Sequence, residues 1–118
     1  MTVAPIRRID TGERMSQAAI HGGVVYLAGQ CGTAHAPVET QTREALDRVD
    51  RYLEAAGSDR SRLLAVTIWL SSIEDYDAMN AVWDAWIPPG AAPARACSEA
   101  RLGGEGYRVE IICTAARR

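Results

Sequence analysis

Two side chains in the last third of the sequence carry the most chemical potential. Arg95 stands in Pro93-Ala94-Arg95-Ala96-Cys97 among small neighbours, and Glu110 stands between Val109 and Ile111. A guanidinium is planar and permanently charged, and its donor fork holds a carboxylate through two parallel bonds. A carboxylate in an apolar strand either lies on a wet face or is retained in a pocket. Spacing alone leaves Arg95 indistinguishable from a solvated arginine and Glu110 from a surface carboxylate. Cys97 follows Arg95 by two residues, on the same side of a strand, and a free cysteine is either a small buried hydrophobe or a nucleophile. Nucleophilic use needs a base, and the only two histidines, His21 and His35, sit in turn or loop segments with no spacing that pairs them with a thiol. Gly103, Gly104 and Gly106 lack the Lys-Ser/Thr and the following helix of a phosphate loop. No His/Cys spacing fits zinc, so no metal site is expected.

Periodicity supplies the elements that must position these groups. Ile6 to Ile9 is a short strand. Gln17 to Ile20 and Val24 to Ala28 flank His21-Gly22-Gly23 and predict a hairpin. Val38, Ala45, Leu46, Val49 and Leu53 recur at helical spacing, predicting a helix from Val38 to Ala56 that Gly57 terminates. Leu63 to Leu70 is nearly continuously apolar, the pattern of a strand buried on both faces. Ser71 or Ser72 then caps a second helix, with Glu74 and Asp75 in its first turn. Tyr76, Met79, Trp83 and Trp86 form an amphipathic stripe in which Trp83 and Trp86 read as core, and Pro88-Pro89-Gly90 stops the helix. Ala94 to Leu102 and Arg108 to Ala115 alternate as two strands about the Gly103–Gly106 turn.

The resulting order is β-β-β-α-β-α-β-β, an α+β sheet with two helices packed on one face. Two helices leave the other face bare. Several strands offer apolar or small residues on both faces, so subunit contact is the expectation, with a partly wet face as the alternative.

The chain has 118 residues, 47% of them hydrophobic, which suits one domain spanning 1–118. A net charge of −2 and a pI near 5.6, with no basic run, argue against nucleic acid as a partner. No stretch reaches a membrane span, and Met1 to Asp10 lacks the apolar core of a secretory signal. Cys31, Cys97 and Cys113 are odd in number and widely spaced, which fits a reducing cytoplasm better than a disulfide framework.

The chain resembles the YjgF/RidA family of reactive-intermediate deaminases over nearly its whole length. The resemblance rests on Val25-Tyr26-Leu27-Ala28-Gly29-Gln30, Gln41-Thr42, Ala55-Ala56-Gly57 and Met79-Asn80, and most specifically on Pro93-Ala94-Arg95-Ala96-Cys97 with Val109-Glu110-Ile111. Ile68-Trp69-Leu70 and the run from Met79 to Trp86 place it nearer one branch of that family. The resemblance implies a chorismate-mutase-like fold, a homotrimer with ligand clefts between subunits, and no metal or organic cofactor. It implies that Arg95 grips the carboxylate of an enamine or imine such as 2-aminoacrylate or 2-iminobutanoate. Glu110 would place the hydrolytic water, and Gly29 and the Cys97 backbone would line the cleft. Many deaminating members carry a tyrosine fourteen residues before the glycine that matches Gly29. That position is Met15 here, so a hydroxyl is missing from the substrate-binding set.

The expected activity is therefore hydrolytic deamination to a 2-keto acid and ammonia. A non-catalytic or chaperone-like trimer binding small carboxylates, and a relative acting on another imine or amide in a specific pathway, are the competing readings. An RNA-acting role, sometimes proposed for the family, is opposed by the acidic charge.

Overall fold

In a computed structural model of the chain, which describes residues 3–118, the glycine turn closes the expected hairpin. Strands β2 (Ser16–His21) and β3 (Val24–Leu27) pair antiparallel from His21↔Val24 to Ala18↔Leu27. Gly22 takes φ +59°, a conformation that costs glycine little. Strand β1 (Ile6–Thr11) extends two residues beyond the predicted Ile9 and pairs with β2 at the sheet edge. Met1 and Thr2, the start of the stretch read for a signal, lie outside the described residues.

Helix α1 spans Val38–Ala55, and all five residues of its predicted stripe are buried. Its end is a Schellman motif: Gly57 at φ +81° lets its own N–H reach the Glu54 carbonyl and the Ser58 N–H reach the Leu53 carbonyl at 2.8 Å. Strand β4 is Leu63–Leu70, and helix α2 is Tyr76–Trp86. Ser72 caps the 3-10 turn Ile73–Asp75 that precedes α2 rather than α2 itself, its hydroxyl accepting from the Glu74 N–H. Met79 and Trp83 are buried, whereas Trp86 stays half-exposed at the rim. Its indole N–H donates to Asp50 at 3.0 Å and Arg60 stacks on its ring, so a polar clamp holds a residue read as core.

Strands β5 (Ala94–Glu99) and β6 (Val109–Ala116) are the two strands expected in the C-terminal third, but the glycine turn does not pair them. They are not neighbours. The sheet runs β1-β2-β3-β6-β4-β5, and β4 pairs parallel with β5 and antiparallel with β6. β5 stops at Glu99, and the Ala100 N–H crosses to the Leu70 carbonyl. The glycine-rich segment therefore spans the end of β4, too long a path for a tight hairpin.

The helices pack on one face, where Val66, Ile68 and Leu70 of β4 meet Cys113, Ile111 and Val109 of β6. The expectation that β4 is buried on both faces does not hold within one chain: Leu64 is 48% exposed and Trp69 38%. The shortest dimension of the molecule, 20 Å, is one sheet and one helix layer. Trp69 and the exposed Tyr26 mark the bare face, along with Ala96 and the half-buried Ile112 and Thr114.

Candidate functional site

Arg95 lies on β5, a sheet edge, opposite Val66, and so on the helix-bearing face. Three residues of α2 receive it. Nη1 donates to Asn80 Oδ1 at 2.8 Å, Nη2 donates to the Tyr76 hydroxyl at 3.3 Å, and the guanidinium stacks on Trp83 at 5.3 Å. Tyr76, Asn80 and Trp83 are spaced i, i+4, i+7, which places them on one helical side. All of these partners are neutral. Among the described residues no carboxylate is ion-paired with Arg95, although Asp77 and Asp84 line the same open groove. Two of its five N–H donors are used, so an anion has a fork to meet.

Glu110 lies on β6 opposite Trp69, on the bare face. Its carboxylate packs against Gly29: a Cβ added there would come within 2.7 Å of Oε2. The Cys31 thiol donates to Glu110 Oε1 at 3.5 Å. Burial, reinforced by the Glu110 charge and this bond, pushes that thiol up to about 11. Glu110, Gly29, Cys31, Gln17, Arg48 and Tyr107 line one cavity of about 310 Å³.

The predicted residues thus fall into two places. Gly29 and Glu110 come together. Arg95 and Cys97 share the opposite face, and Cys97 packs against the core, where burial raises its thiol pKa and Arg95 pulls the other way. Met15 is half-exposed after β1 and does not line the Glu110 cavity. Within one chain Arg95 and Glu110 therefore cannot act on one small molecule.

Several residues at these places escaped the sequence reading. Tyr76 stands in the sequence only as part of the α2 stripe, and Trp83, which is core as expected, also presents its ring to Arg95. Gln17 and Cys31 gave no signal. Gln41 is fully buried, and its amide donates to the Ala36 and Gly106 carbonyls and accepts from the Arg108 N–H, tying α1 to the segment that leads into Glu110.

Residues 5–117 match the family described as Endoribonuclease L-PSP. A RutC family protein of Haemophilus ducreyi is 43% identical over 112 residues, covering 94% of this chain and 96% of that protein. The structure of a YjgF family member from Neisseria meningitidis superposes with a TM-score of 0.96 at 40% identity, covering 99% of this chain and 98% of that one. The chain belongs to the YjgF family. A RutC family protein of Escherichia coli, YoaB, is 40% identical over 94% of this chain and 97% of its own. An uncharacterised Pseudomonas aeruginosa protein has a TM-score of 0.92 at 43% identity, over 97% of this chain and all of its own. The α+β sheet with two helices on one face is thus the YjgF, chorismate-mutase-like arrangement. Among the described residues no helix is long and apolar enough to cross a membrane.

Proposed function

We propose that this YjgF-family protein hydrolyses enamine or imine intermediates of the 2-aminoacrylate and 2-iminobutanoate type to a 2-keto acid and ammonia. The observation that carries this reading is Arg95. Its guanidinium is fixed by Asn80, Tyr76 and Trp83, all neutral, and so keeps its charge and three donors for a ligand. A small 2-imino acid offers a carboxylate of matching geometry next to an electrophilic carbon.

Glu110 places the water. The water oxygen bonds to the imine carbon as one of its protons passes to the carboxylate; the C=N electron pair moves to nitrogen. Glu110 then returns that proton to nitrogen, giving a neutral carbinolamine. As the C–N bond breaks, the carbinolamine O–H proton reaches nitrogen through the same carboxylate, so ammonia leaves and the ketone remains. Positioning and electrostatics carry the rate, and no covalent nucleophile is needed.

Because Arg95 and Glu110 face opposite ways in one chain, the cleft takes Arg95 from one subunit and Glu110 from another. The bare sheet face bearing Tyr26 and Trp69 supplies the contact, and the assembly is a homotrimer working in the cytoplasm. The acidic charge of the chain favours a small carboxylate substrate over nucleic acid.

Met15, in place of a tyrosine, favours one competing reading, in which the same cleft serves another imine or amide. The deciding experiment generates imines in situ from several amino acids with an amino-acid oxidase and follows imine loss and keto-acid release. Acceleration by the parent and not by Arg95→Ala supports the proposal. If the parent accelerates none of them but binds small carboxylates, the cleft has another substrate or only a binding role. Light scattering on the same sample should give three times the monomer mass.

A further inference from the structure

Gln30 is only 2% exposed, and one nitrogen of its side chain makes two bonds. Nε2 donates to the Ala28 carbonyl at 3.1 Å and to Gln17 Oε1 at 2.8 Å. These two bonds fix the amide orientations by chemistry. A backbone carbonyl only accepts, so the Gln30 atom facing it is nitrogen. An amide nitrogen only donates, so the Gln17 atom facing Gln30 is oxygen. The Gln17 NH2 group is therefore turned away from Gln30. Among the described residues it has no acceptor, and Gln17 lines the cavity that holds Glu110, Gly29 and Cys31.

We propose that Gln17 is a further residue of the site: its Nε2–H donates to the hydrolytic water while that water donates to the Glu110 carboxylate. The inference rests on the deaminase reading above for its catalytic meaning, and on the Gln30-fixed amide for its geometry. A water so held has one O–H on Glu110 and one lone pair on Gln17. Its second lone pair is free to bond to the imine carbon. As that C–O bond forms, the proton goes to Glu110 and the C=N pair to nitrogen. Glu110 then hands the proton to nitrogen and relays the carbinolamine O–H proton as C–N cleavage releases ammonia. Met15 lies outside this cavity, so the donor comes from Gln17, two residues further along, and not from the position where the resemblance expected a hydroxyl.

Two substitutions separate this role from a structural one. Gln17→Glu keeps the shape and the oxygen that accepts from Gln30, but turns an acceptor into the cavity in place of the donor. Gln17→Leu removes both. With each variant folded and assembled, both should lower kcat on 2-iminobutanoate by roughly tenfold or more, a cost in the range of one lost hydrogen bond to a reacting group. For Gln17→Leu the affinity for the product 2-ketobutanoate should stay within about twofold, since the carboxylate anchor is Arg95. A high-resolution crystal structure of the parent should place an ordered water within hydrogen-bonding distance of both Gln17 Nε2 and Glu110, and that water should be missing in Gln17→Leu.

If Gln17→Glu turns over at the parent rate while Gln17→Leu does not, Gln17 is only a strut for Gln30 and the inference fails. It fails equally if Gln17→Leu keeps the parent kcat. If the parent hydrolyses no imine, the deaminase reading falls by itself, and the crystal structure decides this one: a water shared by Gln17 and Glu110 upholds the water site, and its absence overturns it.

Discussion

Arg95 and Glu110 leave one sheet on opposite faces, Arg95 level with the buried Val66 and Glu110 level with the exposed Trp69. A shared substrate therefore requires two copies of the chain. This predicts complementation. The Arg95→Ala and Glu110→Gln variants should each be nearly inactive. After subunit exchange from an equal mixture, about one cleft in four joins an intact Arg95 to an intact Glu110, so about a quarter of parent activity should return. Activity that stays at the single-variant level after exchange, verified by mass spectrometry of tagged subunits, would place both residues in one chain's site.

The Arg95 fork should matter more than its charge. Bonds to an ionised group are worth roughly 1.5–3 kcal/mol each, so losing a bidentate pair costs on the order of 10²-fold. Arg95→Lys keeps a cation but forfeits the fork and the stacking on Trp83, and should fall in kcat/KM almost as far as Arg95→Ala. Asn80→Ala leaves the charge and loosens its aim, so a smaller loss of about tenfold is expected. Steady-state kinetics on 2-iminobutanoate checks the ranking, and Arg95→Lys at the parent rate would refute bidentate gripping.

The thiols should be spectators at neutral pH. Burial raises Cys97 and pushes Cys113 up to about 12. Cys97→Ser should therefore keep most of the activity. The raised Cys113 has a consequence for stability. Its thiol keeps its proton in the folded chain after the unfolded chain has lost it, so its contribution is complete below about pH 9 and disappears as pH climbs towards 12. Denaturant unfolding should lose stability by about 1.4 kcal/mol per pH unit over that window from this group, and Cys113→Ala should flatten the slope.

Local pattern made much of the fold legible. The stripe from Val38 to Leu53, the glycine turn at Gly22 and the run Leu63–Leu70 each state their element in residues that are close in sequence. Strand neighbours were not legible there. Nothing in Ala94–Glu99 says that it lies parallel to β4, because a crossover is paid out in the packing of α2 and not in the strand itself. The same holds for the site. Arg95 and Glu110 could be named from their motifs, but their opposite faces follow from which strand each one pairs with. Gln17 was invisible because its meaning comes from Gln30, thirteen residues away and buried.

Gly29 should be as necessary to turnover as its position against Glu110 suggests. A methyl group added there would meet Oε2 at 2.7 Å, Cδ at 2.8 Å and Cγ at 2.9 Å, so the whole end of the Glu110 side chain would have to move. Such a shift carries the carboxylate away from the place proposed for the water and breaks the Cys31 contact at 3.5 Å. Displacements of about 1 Å at a reacting group cost up to about 10²-fold, so Gly29→Ala should lower kcat by roughly 10- to 100-fold with little change in carboxylate affinity. The crowding itself should cost about 1 kcal/mol of stability. Adding Glu110→Asp to Gly29→Ala shortens the side chain and relieves the contact. The double variant should regain that stability in denaturant unfolding and remain slow, because an aspartate no longer reaches the water. A Gly29→Ala protein that hydrolyses imines at the parent rate, with its trimer intact, would mean that Glu110 does its work from some other position than the one it holds against Gly29.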